Sequence, residues 1–245
     1  VNLFKKFILK NPLFSDLTFR EQKSILEPYQ KLVVRVRNEV VAFGAKVDLK
    51  NTAEHISPTT FKSWLDKHDD IILLDARNEY EVKVGKFKNA LELPIDSFRE
   101  FPAAVKKLSG LKDKKIVTYC TGGVRCEKAS AFMKENGFKN VFQLEGGIIN
   151  FINQFPDEHF EGSCFVFDNR ITSQISSTVL NTCSFCTAKI DDYINCHNLD
   201  CDKLFIACSR CQKNMQGTCS TVCKNAPRQR VGKNKQDKVF KNVSA

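Results

Sequence analysis

Cysteine carries most of the candidate chemistry in this sequence, in two different patterns. The first is one loop, Cys120-Thr121-Gly122-Gly123-Val124-Arg125, set between an apolar run that reads as a strand and a segment that reads as a helix. In an open α/β sheet, ligands bind at the carboxyl ends of the strands, where this loop falls. Gly122 and Gly123 let the chain curl so that backbone N–H groups point inward. The helix that follows adds the positive end of its dipole, and Arg125 adds a full charge. All of these favour an anion, so the Cys120 thiol is expected to ionise below its free value of ~8.5 and to act as a nucleophile at neutral pH. Cys120 and Arg125 are the candidate catalytic pair, and Thr121, Gly122, Gly123 and Val124 form the anion cradle. The same cradle suits the terminal sulfur of a persulfide. Cys126 reads either as a packed residue of the first helical turn or as a resolving thiol that exchanges through a disulfide. Cys164, inside an apolar run, reads as a buried structural thiol.

The second pattern is a cluster. Residues 183 to 223 hold eight of the eleven cysteines. Cys183 and Cys186 form one C-x2-C pair and Cys208 and Cys211 another, with Cys196 and Cys201 between them and Cys219 and Cys223 after them. Four thiolates close a structural zinc site, and eight suffice for two. The simplest pairing puts Cys183, Cys186, Cys208 and Cys211 on one ion and the remaining four on a second. The sequence leaves open a crossed arrangement, or His197 in place of a cysteine. Closed thiolate sites leave no open position, so the expected role is structural, and a segment this poor in apolar residues needs such staples to fold.

The elements that must position the loop alternate in type. Thr60 to Asp66 reads as a short helix, Ile71 to Asp75 as a fully apolar strand of the parallel-sheet kind, and Phe98 to Leu108 as a helix. Lys115 to Tyr119 reads as the strand that delivers Cys120, Glu127 to Asn136 as a helix stopped by Gly137, and Val141 to Leu144 as a strand closed by Gly146-Gly147. This alternation predicts an α/β fold, a parallel sheet with helices on both faces, over residues 57–155. Residues 1–48 contain a helical stretch and then Val34-Arg35-Val36-Arg37, which alternates like a strand, followed by the run Val40 to Phe43 ending at Gly44. That is too little chain for an independent core, and it reads as the back part of a small α+β domain. Residues 156–182 read as a connector around Cys164-Phe165-Val166-Phe167, residues 183–223 as the cysteine-rich module, and residues 224–245 as a basic tail.

Composition narrows the class. The chain has 245 residues, 42% hydrophobic and 27% charged, and a net charge of +10. No apolar run approaches the ~18 residues of a membrane span, and the first residues show neither the apolar core nor the cleavage site of a signal peptide. Position 1 is Val rather than Met, which fits a fragment or an internal start. Clustered cysteines without a secretory signal point to a reducing, cytoplasmic setting. After Pro227 the tail sets Arg228, Arg230, Lys233, Lys235, Lys238 and Lys241 against the single acid Asp237. Such a tail is either a solvated end or a salt-sensitive contact with a phosphate backbone. Arg35 and Arg37, on one face of the expected strand, are further candidate RNA contacts.

These motifs carry a resemblance. The loop from Cys120 to Arg125 resembles the active-site loop of rhodaneses, in which four residues separate Cys and Arg. The segment Asp75-Ala76-Arg77-Asn78-Glu79-Tyr80-Glu81, with Gly85, Asn89-Ala90 and Pro94, looks like the stretch after the first core strand of that family, and Leu144-Glu145-Gly146-Gly147 looks like its closing turn. Related phosphatases separate the two by five residues, so the shorter loop favours sulfur over phosphate. Adding Val34 to Gly44, the string from Cys120 to Ala129, Cys164 to Arg170 and the cysteine-rich end, most of the chain is similar to the rhodanese-containing, oxygen-dependent tRNA uridine hydroxylases. The resemblance implies conversion of the wobble uridine to 5-hydroxyuridine, with tRNA as partner, molecular oxygen as co-substrate, Cys120 as the essential residue, and a ferredoxin-like or acylphosphatase-like α+β domain before the rhodanese. It does not reveal how oxygen is activated. The sequence has no flavin or nicotinamide signature, and His55, His68, His159 and His197 are too scattered for an iron site of two histidines and a carboxylate. Two other readings stand beside it: a sulfurtransferase that takes sulfur from a donor and carries it as a Cys120 persulfide, and a non-catalytic RNA-binding module.

Overall fold

Strands in the centre of this protein are apolar on both sides because both sides are covered. A computed structural model describes residues 1–19, 29, 33–168 and 170–230. The chain divides into two units, Val1–Leu32 and Val33–Ala245. In the first, helix α1 (Asn2–Leu9) is followed by a single 3-10 turn, Pro12–Phe14, and no described residue is buried.

The second unit is built on four parallel strands: β1 (Glu54–Ile56), β2 (Ile71–Asp75), β4 (Lys115–Tyr119) and β5 (Asn140–Leu144), in the order β1-β5-β4-β2. Side chains alternate between its faces. Leu74 and Ile116 join a cluster with Phe101 and Val105 of α4 (Phe101–Lys106) and Phe132 and Met133 of α5 (Val124–Glu135). Leu73, Val117 and Tyr119 join the opposite cluster with Phe61 of α2 (Pro58–Asp66) and Ile148 and Phe151 of α6 (Gly147–Gln154). The expected helices on both faces of a parallel sheet are therefore present. Local signals explain the helix ends. The Ser57 hydroxyl accepts from the Thr60 N–H at 3.1 Å to cap α2, with Pro58 in the first turn. Gly137 follows α5 with φ +86°.

Several expectations shift. The helix expected from Phe98 begins as a 3-10 turn, Phe98–Glu100, before α4, because Pro102 lacks the N–H that a continuous helix would need there. Helix α5 begins at Val124, a turn earlier than expected, which places Arg125 and Cys126 inside it. The strand expected at Val34 to Arg37 is not formed. Among the described residues no neighbouring strand takes up its N–H and C=O groups, and Val34 and Val36 are exposed. Phe43 does not belong to a separate front domain either. It is buried against Phe98, Phe101 and Phe132, at ring separations of 4.9, 5.9 and 5.6 Å, in the core beneath α4 and α5.

The region expected to be a connector contributes two strands to a second sheet. Between β2 and α4 lie α3 (Glu79–Val82) and β3 (Gly85–Phe87); β3 pairs antiparallel with β6 (Phe160–Phe165), and β6 with β7 (Thr172–Gln174). This second sheet carries Cys164, fully buried as expected. The cysteine-rich module follows with the hairpin β8 (Tyr193–Asn195) and β9 (Leu204–Ile206) and the short helices α7 (Ser209–Asn214) and α8 (Thr221–Lys224). The module extends past residue 223: Gln229 bridges to Asn198, and the Arg230 N–H donates to the His197 carbonyl at 2.7 Å.

Candidate active site

Cys120 is the first residue after β4 and is buried. Its Sγ accepts the Gly123 N–H at 3.1 Å. That bond depends on Gly123, which sits at φ +91° as the residue before α5. Gly122 contributes differently from expectation: it has no positive φ, and a Cβ there would meet nothing within 4 Å, so the curl is the work of Gly123. From behind, the first turn of α6 closes on the loop. The Ile148 and Ile149 N–H groups donate to the Cys120 and Thr121 carbonyls at 2.9 and 3.1 Å. With those carbonyls engaged behind, loop N–H groups turn toward the sulfur. Gly147 makes the approach possible: a Cβ there would lie 2.3 Å from the Cys120 carbonyl oxygen.

These contacts act on the thiol. The hydrogen bond from the Cys126 thiol, then the Arg125 charge and the backbone N–H groups of Arg125 and Gly123, lower the Cys120 pKa to about 6 against the opposing effect of burial. Burial, and the charge held by Cys120, push Cys126 well above the thiol range. Of the two thiols, Cys120 is the one that ionises more readily. Cys126 is both a packed helix residue and a neighbour of the Cys120 sulfur.

Arg125 is oriented by a residue with no local signal in the sequence. Its guanidinium makes two parallel hydrogen bonds to the buried Glu81 carboxylate, at 2.5 and 2.7 Å. Glu81 in turn accepts the Asn78 N–H at 3.1 Å within the capping box of α3. Thr121 Oγ1 lies 3.4 Å from Arg125 Nη2, whereas Val124 faces solvent. The ring of Phe167 covers the guanidinium with its carbon 5.6 Å from the ring centre. A second buried pair braces the end of β2: Arg77 donates to both Asp75 oxygens, at 3.0 and 2.7 Å, and to the Gly85 carbonyl at 2.7 Å. Asp75, Arg77 and Glu81 all stand in the segment that resembled rhodaneses. Their pairing partners lie too far along the chain, or are too ordinary in type, for the sequence to assign them.

The cysteine cluster resolves into two groups, Cys183, Cys186, Cys208 and Cys211, and Cys196, Cys201, Cys219 and Cys223, each with its sulfurs within 4.8 Å of one another. This is the pairing given above as the simplest, and the two sets alternate along the chain. Sulfurs stand 3.7 Å apart for Cys186–Cys208, Cys201–Cys219 and Cys219–Cys223. A tetrahedral ion with metal–sulfur bonds of about 2.3 Å would set its ligands about 3.8 Å apart, so the donor sets fit such an ion. The spacing is far beyond a disulfide bond of about 2.05 Å. Backbone N–H groups of Cys208 and Cys219 approach the Cys183 and Cys196 sulfurs at 3.4 Å, as bound thiolates favour. His197 takes no place in either set. Its ring packs over Gly217, where a Cβ would lie 2.4 Å from it.

Arg35 and Arg37 are exposed but not on a strand. Arg228 and Arg230 are paired with Asp200 and Asp202, each at 2.5 Å, so they belong to the edge of the cysteine module rather than to a free tail. The lysines after residue 230 lie outside the described residues.

Comparison with known proteins agrees with this architecture. The family profile of the rhodanese-like domain matches residues 57–154, and that described as rhodanase C-terminal matches residues 161–224. The tRNA uridine(34) hydroxylase of Cytophaga hutchinsonii is 41% identical over 232 residues, 93% of this chain and 74% of that protein. The chain belongs to the tRNA uridine(34) hydroxylase family. The family member of Protochlamydia amoebophila is 40% identical, over 93% of this chain and 73% of its own. A solved rhodanese-like domain from Anabaena is 22% identical, covers 45% of this chain and 80% of its own, and superposes with a TM-score of 0.38. The hydroxylase family membership makes this chain an enzyme on a rhodanese-like scaffold, a parallel sheet flanked by helices and followed by a cysteine-rich region. Among the described residues, no helix is long and apolar enough to cross a membrane.

Proposed function

We propose that this protein hydroxylates uridine 34 of tRNA at C5, giving 5-hydroxyuridine, with Cys120 as nucleophile and Arg125 as the cation beside it. This reading is carried by the family membership together with the buried Cys120 sulfur, which accepts the Gly123 N–H at 3.1 Å at the head of the loop. A thiolate adds to C6 of uracil, and the electron pair of the C5–C6 bond moves onto C5 and the O4 carbonyl. The enriched C5 bonds to one oxygen atom of the oxidant. Loss of the C5 proton and departure of the sulfur from C6 restore the double bond. With molecular oxygen as oxidant, the second oxygen atom leaves as water, taking two electrons and two protons from a reducing partner.

The two cysteine groups hold zinc in this reading. Four thiolates close each site, so the metal supplies structure and no step of the reaction passes through it. Cysteines gathered as metal ligands rather than disulfides suit the cytoplasm, where tRNA is modified.

The test is nucleoside mass spectrometry of tRNA from cells lacking the protein, complemented with wild type or with Cys120→Ser. Loss of 5-hydroxyuridine derivatives, restored by wild type and not by Cys120→Ser, is the expected result. Unchanged tRNA in every strain, with a persulfide trapped on Cys120, would replace this reading with sulfur transfer from a donor, which the same anion cradle serves.

A further inference from the structure

Phe167 is out of place for a hydrophobic residue. It directly follows the buried Phe165 and Val166, yet it is 61% exposed. On one side it covers the Arg125 guanidinium. On the other it forms a wall of an open groove of about 440 Å³, completed by Tyr80, Phe165, Ile171, Leu204 and Asn195. The aromatic wall is ordered: Tyr80 meets Phe165 edge-on at 5.1 Å, and Phe165 meets Phe167 edge-on at 5.3 Å. The one carboxylate at its rim, Asp168, is bound by Arg170 at 2.9 and 2.5 Å. The groove is therefore suited to a flat, uncharged ring rather than to an ion.

Its position narrows the ligand. Tyr80 is adjacent in sequence to Glu81, which holds Arg125, and Phe167 touches Arg125 directly. Groove and thiol loop thus share one set of supports. Cys120 is not among the groove walls, so a ring seated there is not the ring that the sulfur attacks. Single-stranded RNA presents rings at the neighbouring positions, and proteins that read such RNA splay its bases onto aromatic side chains.

We propose that this groove is a subsite for the nucleobase next to the reacting uridine, stacked on Phe167. The inference rests on tRNA being the substrate and extends that reading to a specific contact. It is tested by the affinity of an anticodon stem-loop RNA for wild type, Phe167→Ala and Phe167→Trp, measured by fluorescence anisotropy, with melting curves to verify that the variants are folded. Phe167 is largely in water, so both variants keep the fold. The alanine variant is expected to bind at least about fivefold more weakly, since base–aromatic stacking contributes about 1–3 kcal/mol. The tryptophan variant is expected to stay within about twofold of wild type, because it keeps a stacking face. In stem-loops with 2-aminopurine at either neighbour of uridine 34, one position is quenched by wild type and not by Phe167→Ala. The proposal is overturned if wild type does not bind, if Phe167→Ala binds like wild type, or if neither position is quenched. Phe167-dependent binding without Cys120-dependent 5-hydroxyuridine would keep the groove and retire the chemistry. Cys120-dependent 5-hydroxyuridine with binding indifferent to Phe167 would retire the groove alone.

Discussion

Replacing Cys126 by Ala isolates what its thiol does for Cys120. In the wild type that thiol is the largest influence lowering the Cys120 pKa, to about 6 from the ordinary 9.0. A buried hydrogen bond to a charged group contributes about 1.5–3 kcal/mol, and one pKa unit corresponds to about 1.4 kcal/mol. Losing the bond should therefore raise the Cys120 pKa by about one to two units, to between about 7 and 8. Alanine removes only the sulfur atom from a packed helix position, so the loop geometry set by Gly123 and Gly147 stays. The assay is the rate of Cys120 alkylation by iodoacetamide from pH 5 to 10, followed by mass spectrometry of the peptide that carries it. The lowered pKa of Cys120 predicts one part of how stability depends on pH, while the raised pKa of Cys126 acts in the opposite sense above about pH 9. A thiol whose folded pKa is depressed stabilises the fold fully above its unfolded value and loses that contribution as pH falls through its folded value. The Cys120 contribution is thus complete above about pH 9 and fades toward pH 6, and the Cys126→Ala protein should lose part of it. An alkylation midpoint unchanged from wild type would refute the reasoning, because it would mean that Arg125 and the backbone N–H groups alone set the thiol.

Gly147→Ala should destabilise the protein by about 2–4 kcal/mol, since overpacking against loop backbone adds to the cost of a left-handed conformation at φ +63°; urea unfolding measures it, and a loss below 0.5 kcal/mol would show that α6 does not press on the loop as described. Purified protein should contain two metal equivalents by plasma mass spectrometry and Cys211→Ala only one, because the two cysteine groups share no ligand. A strong chelator should open the module while the near-ultraviolet signal of the aromatic core around Phe61, Phe87 and Phe151 persists.

The parts legible in the sequence were those whose determinants lie close together along the chain. Thiol, glycines and arginine of the loop span six consecutive residues, Cys120 to Arg125, directly after a strand, so their order alone implies an anion site. The alternation of apolar strands with helices was equally local, as was each C-x2-C pair. What the sequence could not decide depends on which distant residues meet. Glu81 and Arg125 are 44 positions apart, and a carboxylate after a strand has many possible partners until the sheet brings these two together. The same holds for Phe167 over Arg125, for Cys196 and Cys201 closing with Cys219 and Cys223, and for Arg228 and Arg230 taken up by Asp200 and Asp202. The segment from Val34 to Arg37 shows the converse. Its alternation is that of a strand, but pattern alone supplies no neighbour, and an extended chain becomes a strand only when another takes its backbone hydrogen bonds. Local chemistry was therefore written in the sequence, and the choice of partners was made by packing, which alone decides which charges are buried together and which sulfurs share a site.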